Sequence, residues 1–437
     1  MRKKVLALIV IVLFSPTFGQ EVENTEKEDD FIQWFNDARL GIFIHWGIYA
    51  VNGIDESWSF FNGYISYNDY MRQLDGFTAS NYDPEEWAAK IRESGARYAV
   101  LTAKHHDGVA LWPSAQSDLN AVERTPAARD LIGPYVRALR KYGIKVGLYF
   151  SHLDWSFPDY PRKTREEYRY REDPGRWRSF LDFRFRQVKE LVMNYNPDLL
   201  WFDGDWEEKP EMWESRALRD SIKKWKPEII INARINGFGD YATPEQGLPV
   251  MKPEASYWEL CMTMNDSWGY QPNDTHYKST DEILRIFADV IAKGGNLLLD
   301  IGPREDGTIP DEQQKILSEL GRWTEKHAQA IYGTGSGLPP GYFYGPSTLS
   351  VDSTILYLFL PVSGKGPYEL MGVKNEIQRI WIVGEGTRLD HRLYGKVYWS
   401  DYPGTVFFDL PESAADENMT VVALLLDGKL DLLQTNQ

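Results

Sequence analysis

Residues 199–206 read Leu-Leu-Trp-Phe-Asp-Gly-Asp-Trp. An apolar run ends in an acid, a glycine and a second acid. Its length and aromatic content suit a strand buried on both faces, and such strands belong to parallel sheets covered by helices. Asp203 then stands at the carboxyl end of a buried strand. Asp205, two residues on, shares its face if the strand continues.

Working outward, the same pattern recurs. "GIFIHWG" (41–47), "YAVLTAKHHDG" (98–108), "KVGLYFSHLDW" (145–155), "EIIINAR" (228–234) and "NLLLDIG" (296–302) read as strands. Amphipathic stretches separate them. Residues 83–95 form the clearest helix, with Asp83 as cap, Pro84 in the first turn and Gly95 at the end. Residues 128–143, 176–196 and 311–333 read as further helices. After about residue 235 the chain reads as irregular until 279. This alternation over residues 24–335 predicts an α/β fold, a (β/α)8-like (TIM-type) barrel. Beyond "GTGSGLPPG" (333–341) come short strands between Gly and Pro turns. They predict a C-terminal antiparallel β-sandwich domain over residues 341–433.

The first residues are "MRKKVLALIVIVLFSPTFGQ". A basic start, a short apolar core and a small-residue cut predict a signal peptide over residues 1–19. The apolar run is too short to span a bilayer, and no later segment is longer. The protein is therefore expected to be exported, periplasmic or secreted, with no membrane span. Its formal charge is −16; losing the three leader cations leaves about −19. Such a chain repels nucleic acid backbones. Cys261 is the one cysteine, so no internal disulfide is expected. The 16 Trp and 25 Tyr serve core filling or flat walls for sugar rings, and composition does not separate the two.

Polar and aromatic residues gather at the strand ends: His45, His105, His106, Trp155, Asp203 and Arg234. In barrels of this kind that end carries the chemistry. The adjacent histidines point to opposite faces of a regular strand, so a shared metal needs an irregular turn. Hydrogen bonding to a polyhydroxylated ligand is the better reading, with no metal and no cofactor expected. Asp203 between Trp201 and Trp206 suits a nucleophile or base in an aromatic pocket. A retaining glycosidase needs a second carboxyl group facing it. Glu245, Glu254 and Glu259 are the candidates, and spacing does not choose among them.

Seven motifs in order make the choice: "GIFIHWG", "YAVLTAKHHDGVALWPS", "GLYFSHLDW", "DLLWFDGDW", "GDYATPEQ", "SWGY" and "GGNLLLDIGPREDGTIP". Together they resemble the α-L-fucosidases of glycoside hydrolase family 29. The resemblance implies a retaining double displacement on fucosylated oligosaccharides or glycoconjugates. It implies Asp203 as nucleophile, from W-x-D-G, and Glu245 as acid/base, from G-D-Y-x-T-P-E. It implies substrate contacts from His45, Glu56, Trp58, His105, His106, Tyr149, Trp201 and Arg234, with Glu259 supporting a loop. The chain departs from the pattern at Ala233 and Ile235, at Val109, and in the order Glu56-Ser57-Trp58. These changes bear on aglycone preference. The alternatives are a glycosidase for a related sugar such as an α-L-galactoside, a catalytically silent sugar-binding protein, and a metal-dependent barrel hydrolase.

Overall fold

Seven strands make a parallel sheet: β1 (Leu40–Ile44), β2 (Tyr98–Lys104), β3 (Lys145–Ser151), β4 (Leu199–Asp203), β5 (Ile230–Ile231), β6 (Glu259–Thr263) and β7 (Asn296–Ile301). The computed structural model describes residues 31–361 and 366–434, so the expected signal peptide lies outside the described residues. The strand order is β5-β4-β3-β2-β1-β7-β6. Between β5 and β6 the gap is spanned by the segment 241–245. It forms isolated parallel bridges Asn232–Tyr241, Ala242–Trp258 and Glu245–Cys261. Pro244 lies in this segment and Gly239 and Gly247 flank it, and such residues do not sustain a regular ladder. The ring therefore closes on an irregular eighth piece, and Glu245 belongs to it.

Side chains alternate across the sheet with the period of two that strands impose. Leu200 and Phe202 of β4 pack outward with the helices. Leu199 and Trp201 pack inward with Phe43, Tyr98, Tyr149 and Cys261. Asp203 follows this inward row. The long helices are Pro84–Glu93, Ile132–Lys141, Pro174–Glu190, Ser215–Trp225, Thr280–Ala292 and Asp311–Lys326. Asp83 caps the first by accepting from the amides of Glu85 and Glu86. Gly133 and Pro134 fall in the first turn of the second, where proline forfeits no helical bond.

Two elements differ from the sequence reading. β6 lies inside the stretch read as irregular. Its strand of only five residues starts on a carboxylate, and the burial of all five is a property of the closed barrel. The strand read over 228–234 shrinks to two residues. Side chains take over its ladder: Asn232 accepts from the Phe202 amide at 2.8 Å and donates to the Phe202 carbonyl at 2.9 Å. Asp240 accepts from the Ile231 amide at 2.8 Å.

The C-terminal part is antiparallel. A six-stranded sheet has the order β13 (Arg388–Leu389), β12 (Ile377–Ile382), β16 (Met419–Leu426), β10 (Ile355–Pro361), β9 (Ser347–Ser350), β8 (Thr334–Ser336). A three-stranded sheet has the order β11 (Tyr368–Met371), β15 (Thr405–Phe408), β14 (His391–Tyr394). Leu356, Leu358, Val422 and Leu424 point into the core between these sheets. Their neighbours Tyr357, Phe359, Val421 and Ala423 pack against the barrel. The junction is also polar: Asp416 pairs with Arg322 at 3.1 Å and with Lys326 at 2.9 Å. Among the described residues no helix is long and apolar enough to cross a membrane.

Candidate active site

Gly204 ends β4. Its φ of +89° is open to glycine, and a Cβ there would meet Leu153 at 2.5 Å. The strand stops at this residue, so Asp203 and Asp205 do not share a face. Asp205 turns away and accepts from the Asn236 amide at 2.6 Å, holding the loop after β5. Asp203 stays in the lumen. Tyr149 donates to its Oδ2 at 3.0 Å, Arg234 donates to its Oδ1 at 2.9 Å, and His106 Nε2 lies 3.7 Å from Oδ2.

Arg234 makes the decisive contact. One Nη donates to Asp203 and the other to Glu245 Oε2, at 2.6 Å. A single guanidinium thus holds two carboxylates side by side. The arginine lies 4.6 Å above the Trp201 ring, a cation–π contact that fixes the plane of the fork. Its carbonyl faces His152 Nε2 at 3.2 Å, and the His152 ring stacks on Phe202.

The histidines are held by their second nitrogens. His45 Nδ1 meets Asp300 at 2.6 Å, His105 Nδ1 meets Ser57 at 2.6 Å, and His106 Nδ1 meets Ser151 at 2.6 Å. Burial keeps all three uncharged. It lowers His45 and His105 well below the usual range and pushes His106 down to about 3, with Lys104 adding to the effect there. A neutral imidazole offers one donor and one acceptor, which suits sugar hydroxyls.

Trp58 lies edge-on to His106, with ring centres 5.4 Å apart, and Trp201 stacks on Tyr149 at 5.6 Å. Glu56 is buried and accepts from the Gly269 amide. Burial raises its carboxyl to about 7. His45, Trp58, His105, His106, Tyr149, Trp201, Asp203, Arg234 and Glu245 therefore converge, with Glu56 on the adjoining loop. Trp155 is buried, stacked on Phe61 at 3.9 Å, with its ring centre 5.0 Å from His106. The reading of residues missed Trp268, whose ring centre is 4.9 Å from His45. It lies in the quoted "SWGY", so the signal was present. Trp206, which follows Asp203 by three residues, also reaches the site, with its ring centre 5.9 Å from His106.

Glu259 sits at the other end of the barrel. It opens β6 in register with Asn296, the first residue of β7, whereas Asp203 closes β4. Glu259 Oε1 accepts from Trp201 Nε1 at 2.9 Å, and Oε2 accepts from the Tyr98 hydroxyl at 2.5 Å. It anchors the indole beneath Arg234. Glu254 is exposed on the loop before β6. Burial raises the Glu259 carboxyl from 4.5 to about 7, against the hydrogen bonds from Tyr98 and Trp201. The folded protein favours the neutral acid, so this contribution to stability is full below pH 4.5 and is lost as pH rises through about 7. Glu259→Gln, neutral at every pH, is expected to gain on the parent by about 1–3 kcal/mol across that window. Melting temperatures of both proteins from pH 5 to 8 check this; a constant difference refutes it.

The chain matches the family model "Alpha-L-fucosidase" over residues 9–329. This chain belongs to the α-L-fucosidase family. It is 31% identical over 336 residues to the α-L-fucosidase of Dictyostelium discoideum, covering 69% of this chain and 71% of that one. To human tissue α-L-fucosidase it is 32% identical over 330 residues, covering 69% of each. Among solved structures, α-L-fucosidase isoenzyme 1 from Paenibacillus thiaminolyticus superposes with a TM-score of 0.83 at 34% identity, over 91% of this chain and 99% of that one. A Bacteroides thetaiotaomicron α-L-fucosidase, trapped as a covalent intermediate with 2-fluoro-fucosyl fluoride, gives a TM-score of 0.81 at 25% identity, over 91% and 96%. The α-L-fucosidase family places this protein among the retaining glycoside hydrolases.

Proposed function

We propose that this protein is an exported exo-acting α-L-fucosidase that releases terminal fucose from glycans through Asp203 and Glu245. The observation that pairs the two groups is the Arg234 fork, bonded to Asp203 at 2.9 Å and to Glu245 at 2.6 Å; their separate roles follow the W-x-D-G and G-D-Y-x-T-P-E motifs. Retaining glycosidases keep their two carboxyl groups closer than inverting ones do, because no water has to fit between nucleophile and sugar. An Asp203 oxygen attacks the anomeric carbon as its bond to the leaving oxygen breaks. Glu245 gives that oxygen its proton. Water then attacks the anomeric carbon, Glu245 takes a proton from it, and the ester bond to Asp203 breaks. Arg234 carries positive charge beside both carboxyl groups throughout, and Tyr149 donates to the nucleophile.

Following the product anomer by NMR during hydrolysis of a fucosylated oligosaccharide tests the reading. The α-anomer is expected first. A first-formed β-anomer overturns the double displacement, and preference for an α-L-galactoside overturns the sugar assignment. Residues 1–19 support export, which N-terminal sequencing of the processed protein checks, with a start near Gln20 expected. The sugar contacts are proposed to work without metal, since among the described residues no three His, Cys, Asp or Glu side chains are grouped so as to hold an ion. Exhaustive chelation is expected to leave the rate unchanged. Stoichiometric metal whose removal abolishes turnover refutes this.

A further inference from the structure

The loop leaving Asp203 runs outward from the pocket. Trp206 is 52% exposed, and its ring lies near-parallel to Trp58 at 6.2 Å. It therefore stands at the mouth. Glu207 follows and accepts from the Tyr160 hydroxyl at 2.5 Å. Glu208, at most ~7 Å further along the chain than Trp206, lines a cavity of about 580 Å³. That volume is within the range of small-ligand sites.

Its apolar wall is Tyr170, Trp177, Leu181 and Met212. Met212 is 45% exposed, an unusual place for a large apolar side chain. The Trp177 N–H is already bonded to the Met212 carbonyl at 3.0 Å. Trp177 therefore offers the cavity hydrocarbon rather than a donor. Pro161, Pro174, five carboxylates and two guanidiniums complete the lining. Arg178 is paired with Asp182 and Glu214, each at 2.7 Å, and Asp173 caps a helix by accepting from the Gly175 and Arg176 amides, which leaves Glu172, Glu208 and Glu211 to face the cavity. Carboxylates accept from hydroxyls and repel anions.

Resting on the fucosidase reading, we propose that this cavity binds the non-fucosyl part of the substrate. It takes one or two uncharged pyranose units beyond the cleaved bond. Aromatic and thioether surface packs against the C–H faces of the rings, and the carboxylates collect the hydroxyls. The same carboxylates discriminate against sialylated or sulfated branches. The argument stands on the nearness of Glu208 to Trp206 along the chain and on the sign of the charge.

The test compares kcat/KM for a neutral fucosylated oligosaccharide with that for 4-nitrophenyl α-L-fucoside, which has no sugar for the cavity. In Met212→Ala and Tyr170→Ala the oligosaccharide-to-aryl ratio is expected to fall about tenfold, mainly through KM. Trp177→Ala gives the larger drop if it folds; Trp177 also packs on Phe180 and Trp213. Charge reversal at exposed Glu208 and Glu211 is expected to raise use of a sialylated oligosaccharide relative to its neutral counterpart. Ratios within twofold of the parent in all these variants overturn the cavity proposal and leave the fucosidase reading intact. A parent protein inactive on both the fucosylated oligosaccharide and the aryl fucoside overturns both.

Discussion

Asp203→Ala is expected to lower kcat on an aryl α-L-fucoside by ~10⁴-fold or more, the scale of losing a group that forms the covalent intermediate. Added azide should restore part of the rate, attacking the anomeric carbon from the vacated side to yield a fucosyl azide of inverted configuration. The alanine also leaves Arg234 short of one partner in a buried site, which threatens the fold as well as the chemistry. Asp203→Asn, with the same shape and no charge, separates these effects. It should keep the melting temperature near the parent's and still lose the rate. Near-normal turnover in either variant would sink the assignment and turn attention to Asp205. That carboxylate is already bonded to the Asn236 amide at 2.6 Å, so the expectation is that Asp205→Asn retains activity.

Glu245→Ala carries the second large effect. A general acid matters most when the leaving group is poor. Removing it should depress hydrolysis of fucosylated oligosaccharides by ~10²–10⁴-fold and that of an aryl fucoside with an acidic phenol far less. The same residue later activates water, so a fucosyl-enzyme should accumulate, and azide should speed its breakdown. Glu259→Ala should give a different signature. It leaves the Trp201 and Tyr98 donors without an acceptor at the amino end of the barrel. A stability loss is expected, with activity reduced alike across leaving groups, because Arg234 loses a fixed floor. A steep leaving-group dependence in Glu259→Ala and not in Glu245→Ala would falsify the proposed roles.

Much of this was legible in the chain. Apolar runs such as Tyr98–Lys104 and Leu199–Asp203 are continuous because both faces are covered, and a continuous run is a local signal. Asp83 and Pro84 announce a helix by the same kind of local chemistry. The motifs around His45, His105 and Asp203 are contiguous too, so they could be read before folding. β6 was not legible. "ELCMT" opens on a carboxylate that only the closed lumen buries and supplies with donors, Tyr98 and Trp201 on distant strands. The choice among Glu245, Glu254 and Glu259 was equally closed to inspection of spacing, and there the family motif pointed where residue counting could not.

By itself, the sequence determined most of the strands and helices of the barrel, their parallel arrangement, and the candidate residues at the strand ends. Those properties follow from backbone propensity and from side-chain periodicity, which act over a few residues. The tertiary structure alone decided which carboxyl groups meet. Gly204 breaks the strand and sends Asp205 away from Asp203. The ring closes through 241–245, which carries Glu245 to the Arg234 fork, while register sets Glu259 at the opposite end of the lumen. Each of these depends on contacts between residues far apart in the chain, and the burial and charge that tune a carboxyl group exist only once those contacts are made.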